Sequence, residues 1–170
     1  MTEKLRLTPH ETVTIRKSSP DLLEVEGNWG PEGKPPPPHF HPAQDEHFEV
    51  IDGTLTAKIG GEEFDLVPGQ KLDIPRGVHH QIWNRGDVPA RALWQTRPAL
   101  RTEEWFRSID RLITEGRVGR KGMPGPLAFG VYLTEYRDVF RLGTGPDLVT
   151  RPLLFGLGLL GRARGYRTGD

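Results

Sequence analysis

From Glu11 to Arg97, apolar and polar positions alternate in short runs broken by turn residues, and no helical periodicity persists over a dozen positions. Phe48/Val50, Leu55/Ala57/Ile59 and Phe64/Leu66 each put apolar side chains on one face of a strand. Gly60-Gly61 supplies a two-residue hairpin loop, because glycine reaches positive φ without steric cost. Pro68-Gly69, Pro75-Arg76-Gly77 and Arg85-Gly86-Asp87 mark further turns at near-regular intervals, which predicts a small all-β sandwich or barrel. Pro35 to Pro38 force an extended lead with few backbone donors, suited to a sheet edge or barrel rim and excluded from a central strand. Beyond Leu100 the pattern changes. Thr102 is placed to cap a helix, Glu103 and Glu104 suit its first turn, and Phe106, Ile109, Leu112 and Ile113 share a face up to Gly116. A second helix is expected from Pro126 through Phe140, closed by Gly143. The apolar run Leu153 to Leu160 is too short for a transmembrane span, which needs about 20 residues, and reads as an element packed on the barrel or on a dimer mate. Two units follow: a β unit over 1–100 and a helical C-terminal extension over 101–170.

Composition narrows the function. The absence of cysteine excludes disulfides, thiolate metal sites and cysteine nucleophiles. With 23 Lys+Arg against 23 Asp+Glu, the chain lacks the basic excess of a general nucleic-acid binder, and no helix-turn-helix pattern is present. Charge is uneven, with residues 1–100 carrying net −4 and residues 101–170 net +4. No N-terminal apolar stretch resembles a signal peptide, so a cytoplasmic location is expected. Barrel edges and the apolar C-terminal run together predict a homodimer.

The chemistry concentrates in His39, His41, Glu46 and His80. His39 and His41 are two apart, so on a strand they share a face, and Glu46 and His80 lie on other strands able to converge from the same side. The spacing permits a metal site without requiring one. Nitrogen and oxygen ligands without sulfur suit Fe(II), Mn, Ni, Co or Zn, and four protein ligands leave two positions open on an octahedral ion. His79 and His47 fall one step out of phase with His80 and Glu46, and Glu49 points with His47.

These residues resemble the cupin superfamily. Its first motif, G-x5-H-x-H-x3,4-E-x6-G, is matched by Gly33, His39, His41, Glu46 and Gly53; its second, G-x5-P-x-G-x2-H-x3-N, by Gly69, Pro75, Gly77, His80 and Asn84. The resemblance covers roughly Val13 to Arg97. It implies a small barrel of two antiparallel sheets (a double-stranded β-helix, or jelly roll) with one divalent transition metal inside its mouth, held by His39, His41, Glu46 and His80. Fe(II) or Mn is the favoured occupant, with Ni, Zn or Co as alternatives. Residues 101–170 look like the helical extension of some uncharacterised bacterial single-domain cupins.

Strand phase nominates a substrate-pocket wall of Phe48, Val50, Ile82 and Asn84, with Phe40 and Trp83 out of phase. Trp94, in one alternating set with Ala92 and Thr96, either narrows an apolar pocket or serves as plain core. Asn28 to Pro38, carrying Trp29, is the candidate gate. No second carboxylate, Ser or Tyr stands out as a general base. The expected activity is therefore a metal-dependent, dioxygenase-like reaction on an apolar or aromatic small molecule. The alternatives are a non-redox cyclase or isomerase, which similar single-domain cupins also represent, and a non-catalytic ligand-binding or sensory module.

Overall fold

The computed structural model describes residues 3–119, 123–143 and 147–168. Two antiparallel sheets form its centre. The larger is built from β1 (Lys4–Thr8), β2 (Glu11–Ser19), β3 (Leu22–Trp29), β5 (Asp45–Asp52), β8 (Lys71–Ile74) and β10 (Ala90–Arg97), in the order β1-β2-β3-β10-β5-β8. The smaller holds β4 (His39–Phe40), β6 (Leu55–Ile59), β7 (Glu62–Leu66), β9 (His80–Trp83) and β11 (Arg141–Leu142), in the order β11-β4-β9-β6-β7. Three helices follow the main strands: α1 (Thr102–Thr114), α2 (Pro126–Glu135) and α3 (Asp147–Ala163).

Alternation produces this architecture directly. Phe48, Val50, Leu55, Ala57, Ile82 and Ala92, at alternate positions of their strands, bury together between the sheets. The β6–β7 hairpin turns where expected, with Ile59 opposite Glu62 and the two glycines between them at φ +60° and +91°. A second cluster joins Leu5, Val13, Leu23 and Val25 of the larger sheet to Phe106 of α1. Each such side chain contributes roughly 1.5–3 kcal/mol on burial, which is what holds the extension on the barrel.

Two local expectations are corrected, those for Thr102 and for the second helix, and two elements extend beyond the predicted runs. A strand, β1, precedes Glu11. Thr102 does not cap α1 with its side chain: its hydroxyl accepts from Gln44 Nε2 at 2.7 Å, and Arg101 occupies the cap position. The second helix stops at Glu135, so Phe140 lies on a return segment whose Arg141 and Leu142 pair with Phe40 and His39. α3 begins before and ends after the apolar run, and no helix among the described residues is long and apolar enough to cross a membrane.

Candidate metal centre

His39 and His80 face each other across the β4–β9 ladder, and His41 follows β4. The three imidazoles each offer a nitrogen within 4.8 Å of the others. Glu46, on β5 of the opposite sheet, brings Oε2 to 2.9 Å from His80 Nε2 and 3.3 Å from His41 Nε2. The four residues named from the sequence therefore stand together, with His41, Glu46 and His80 buried and His39 half-buried. His79 is exposed and stacks on Phe40, while His47 pairs with Asp73 at 2.6 Å, both away from this cluster as strand phase requires.

The orientation of each ring is set by the main chain. Nδ1 of His39 lies 2.9 Å from the Pro37 carbonyl, Nδ1 of His41 2.7 Å from that of Val139, and Nδ1 of His80 3.0 Å from that of Val78. A carbonyl only accepts, so each Nδ1 carries a proton and each ring turns its Nε2 into the cluster. Trp94 completes the set by donating its indole N–H to Glu46 Oε1 at 2.9 Å, leaving Oε2 free. Among the described residues, His41 Nε2 and Glu46 Oε2 are buried without a partner in hydrogen-bonding geometry. Buried polar atoms are otherwise almost always paired. Converging Nε2 and Oε2 atoms fit a divalent cation, which would displace the proton that His80 and Glu46 compete for at 2.9 Å, and the all-N/O donor set fits a first-row transition metal.

Burial acts to raise the Glu46 carboxyl, but the imidazoles of His41, His80 and His39 outweigh it and hold the group down at about 2. Burial pushes His39 down to about 3, with His80 and His41 adding to the effect. At His80, burial acts downward, and the adjacent Glu46 carboxylate overcomes it to raise the ring above its ordinary value. The cluster is thus an anionic carboxylate among imidazoles, one of which competes for a proton.

Above the cluster lies a cavity of about 140 Å³, close to the ~150 Å³ known to accept a benzene-sized ring. Phe48, Ile82 and Trp94 line it as the sequence predicts; Val50 and Asn84 do not. Val50 lies deeper, in the core between the sheets. Asn84 is a structural tie: its Nδ2 donates to the carbonyls of Trp29 and Val88, and its Oδ1 accepts from Gly86 N–H. Gly33 passes so close that an added Cβ would sit 2.8 Å from the Asn84 carbonyl oxygen, a physical reason for glycine there.

Much of the wall was not foreseen. Trp105 and Phe106 of α1, with Val139 and Phe140 of the return segment, close one side of the cavity. Phe140 stacks on His39 at 4.7 Å and on Trp105 at 5.3 Å. Glu11 also lines the cavity, a second carboxylate where none was expected. Its signal was present: Glu11 shares strand phase with Val13 and Ile15, and an acid on an inward face is an informative exception.

Residues 28–96 match the family described as the cupin domain. That segment of the chain is a cupin domain. The chain is 34% identical over 90 residues to the tetracenomycin polyketide synthase protein TcmJ of Streptomyces glaucescens, covering 53% of this chain and 54% of that one. An oxidoreductase of Arthrobotrys oligospora is 29% identical over 127 residues, or 74% of this chain and 44% of that protein. The chain thus spans about half the length of these curated relatives. In fold it matches an RmlC-like cupin of Shewanella frigidimarina with a TM-score of 0.54 at 16% identity, over 60% of this chain and 88% of the other.

Proposed function

We propose that this cupin is a metal-dependent enzyme, dioxygenase-like in its chemistry, acting on an apolar or aromatic small molecule. One observation carries the reading: four oriented lone pairs, from His39, His41, His80 and Glu46, converge at the wall of an aromatic-lined cavity of ring size. A divalent transition metal held there, Fe(II) or Mn(II) in this reading, would supply Lewis acidity and a redox couple for dioxygen chemistry. The chain does the rest. Carbonyls of Pro37, Val78 and Val139 fix the imidazoles, Trp94 fixes the carboxylate, and Phe48, Ile82, Trp105 and Phe140 bind the apolar body of the substrate and keep water out. The relation to an oxidoreductase supports this redox version.

The relation to a polyketide synthase protein supports a second reading, non-redox ring closure or isomerisation by the same centre. Oxygen uptake by the Fe(II)-loaded protein across phenols and diketones separates the two. Uptake that disappears in His39→Ala/His41→Ala supports the first, and turnover of a panel member by the Zn(II)-loaded protein without oxygen uptake supports the second. A metal-loaded protein inert in both assays is a binding module.

The same proposal includes a homodimer. Leu153, Phe155, Leu159 and Leu160 of α3 are each more than half exposed, an apolar surface that a second copy would cover.

A further inference from the structure

Glu11 opens β2 opposite Trp29 in the β2–β3 ladder, and its half-buried side chain lines the cavity that contains the histidine cluster. The Trp29 indole N–H donates to the Glu11 carboxylate and so aims it. Glu11 forms no ion pair with the described residues and takes no part in the cluster, whose supporting hydrogen bonds come from Trp94 and three carbonyls. The other proton-accepting groups of the wall are committed: the Thr102 hydroxyl to Gln44, and the Glu46 carboxylate to Trp94 and His80, while the imidazoles turn Nε2 into the cluster. A cavity of about 140 Å³ holds one ring-sized occupant, so a molecule that reaches the histidines also meets Glu11. An acid kept uncommitted on an apolar wall is costly, which marks it as a group for chemistry rather than packing. A proton acceptor on one wall and a cluster of imidazoles on another suit a molecule that loses a proton at one atom and gains negative charge at another, which is an enolisable carbonyl compound.

We propose that Glu11 is the general base of this cavity, taking a proton from the carbon beside the carbonyl group of an enolisable ketone. The C–H bond breaks, its electron pair passes into the carbonyl to leave an enolate, and the proton rests on a Glu11 oxygen until it returns to the substrate or exchanges with water. The inference rests on the reading of this cavity as a small-molecule site and adds a substrate class to it, since oxidation and ring closure can both start from an enolate. Negative charge leaves Glu11 for the substrate within the space that His39, His41 and His80 line. Burial pushes the Glu11 carboxyl up to about 7, opposed by the Trp29 N–H and aided by the Glu46 charge, so its carboxylate holds a proton more strongly than a solvated one and is still ionised just above neutral pH. Of the elements around the cavity, β5 presents Glu46, and β4, the residues after it and β9 present the three histidines; β1, β3, β10 and α1 bring uncharged side chains, Leu7, Trp29, Trp94 and Phe106 among them.

The probe is acetophenone, a ring-sized aryl ketone whose methyl hydrogens exchange with D2O by way of the enolate. Loss of the methyl proton resonance is followed with the full-length protein, metal-free and Zn(II)-loaded, and the affinity for acetophenone is measured by calorimetry. Exchange faster than in buffer is expected in the wild type, and Glu11→Gln should slow it roughly 100-fold or more while leaving affinity within about threefold. Glu11→Asp, with a shorter carboxylate, should keep part of the rate. In the metal-free wild type the rate should rise as pH climbs through about 7 and then level, because the base acts only when ionised, and Glu11→Gln should lack that rise. Exchange no faster than in buffer in both metal states, equal rates in the wild type and Glu11→Gln, or a wild-type rate independent of pH between about 5 and 9 overturns the proposal. Should Glu11→Gln fail to fold, the wild-type pH profile and Glu11→Asp decide. Zn(II) affinity of the wild type, measured in parallel, reads the metal centre separately: Glu11-dependent exchange without Zn(II) binding supports the base and sinks the metal reading alone, and Zn(II) binding without exchange sinks the base alone.

Discussion

The imidazole of His41 and the main-chain carbonyl of Val139, 98 residues apart, meet at 2.7 Å. The helical extension therefore supplies the acceptor that fixes one ring of the cluster, and β11 adds a hydrogen-bonded strand beside the one that carries His39. Phe140 stacks between the His39 ring and Trp105. Phe140→Ala is expected to lower melting stability by about 2–3 kcal/mol, less than a fully buried Phe would cost because the side chain is half-buried. It should also weaken Zn(II) binding several-fold by freeing His39. Thermal melts and chelator-competition titrations check both effects, and unchanged metal affinity would show that the extension merely covers the barrel.

Trp94→Phe keeps the ring but removes the donor to Glu46 Oε1, leaving a buried carboxylate oxygen unpaired. A loss of about 1–3 kcal/mol in stability is expected, with metal affinity reduced roughly 10- to 100-fold as for other supporting hydrogen bonds. Trp94→Leu should cost more in stability, since the stack with Phe48 at 5.3 Å is lost too. Equal metal affinity in the wild type and Trp94→Phe would remove Trp94 from the centre.

Metal content per chain, measured by inductively coupled plasma mass spectrometry on untagged protein prepared without nickel resin, should approach one and be lost in His39→Ala/His41→Ala. Binding requires deprotonated imidazoles, and His80 is held protonated more strongly than usual by Glu46. Metal affinity should thus begin to fall above the ordinary histidine range and keep falling as pH drops through it, with protons released on binding. Affinity independent of pH between about 5 and 8 would exclude His80 as a ligand.

Glu11 gives a stability prediction of definite sign. Its carboxyl rises from 4.5 to about 7 on folding, driven by burial and by Glu46 across a cavity that His39, His41 and His80 also line. A raised carboxyl binds its proton more tightly in the folded state, so its contribution is fully present below pH 4.5 and is lost as pH climbs to about 7. Relative to the wild type, metal-free Glu11→Gln should gain about 1–3 kcal/mol between pH 4 and pH 8. Paired melts at the two pH values measure it, and a flat difference would place Glu11 in bulk water.

The proposed dimer is tested by light scattering. Phe155→Asp with Leu159→Asp should convert a dimer into a monomer without loss of fold, and a wild-type monomer would remove the idea.

How far these features could be read beforehand depended on whether the information was local. Gly60-Gly61, the alternating Phe48 and Val50, and the four ligands are written into spacing and phase, which a strand converts into faces regardless of context. Phase could not say how deep along a strand the cavity reaches, which is why Val50 went to the core and Asn84 to a loop tie. Phe140 reads as helical because its apolar spacing continues that of Tyr132 and Tyr136; pairing of the next two residues, Arg141 and Leu142, with Phe40 and His39 of β4 overrides the local pattern. Trp94 admits two roles in the sequence because its decisive partner, Glu46, is set by strand pairing across β5 and β10.

All three imidazole anchors are main-chain oxygens, and a main-chain oxygen survives any side-chain exchange. The aim of the histidines is therefore insulated from substitution at Pro37, Val78 and Val139, provided the backbone keeps its path. The carboxylate is the exception, since its anchor is the indole of Trp94. Among the described residues, variation that tunes the electron-donating strength of this centre through its hydrogen bonds, while leaving its ligands in place, has the Trp94 side chain through which to work.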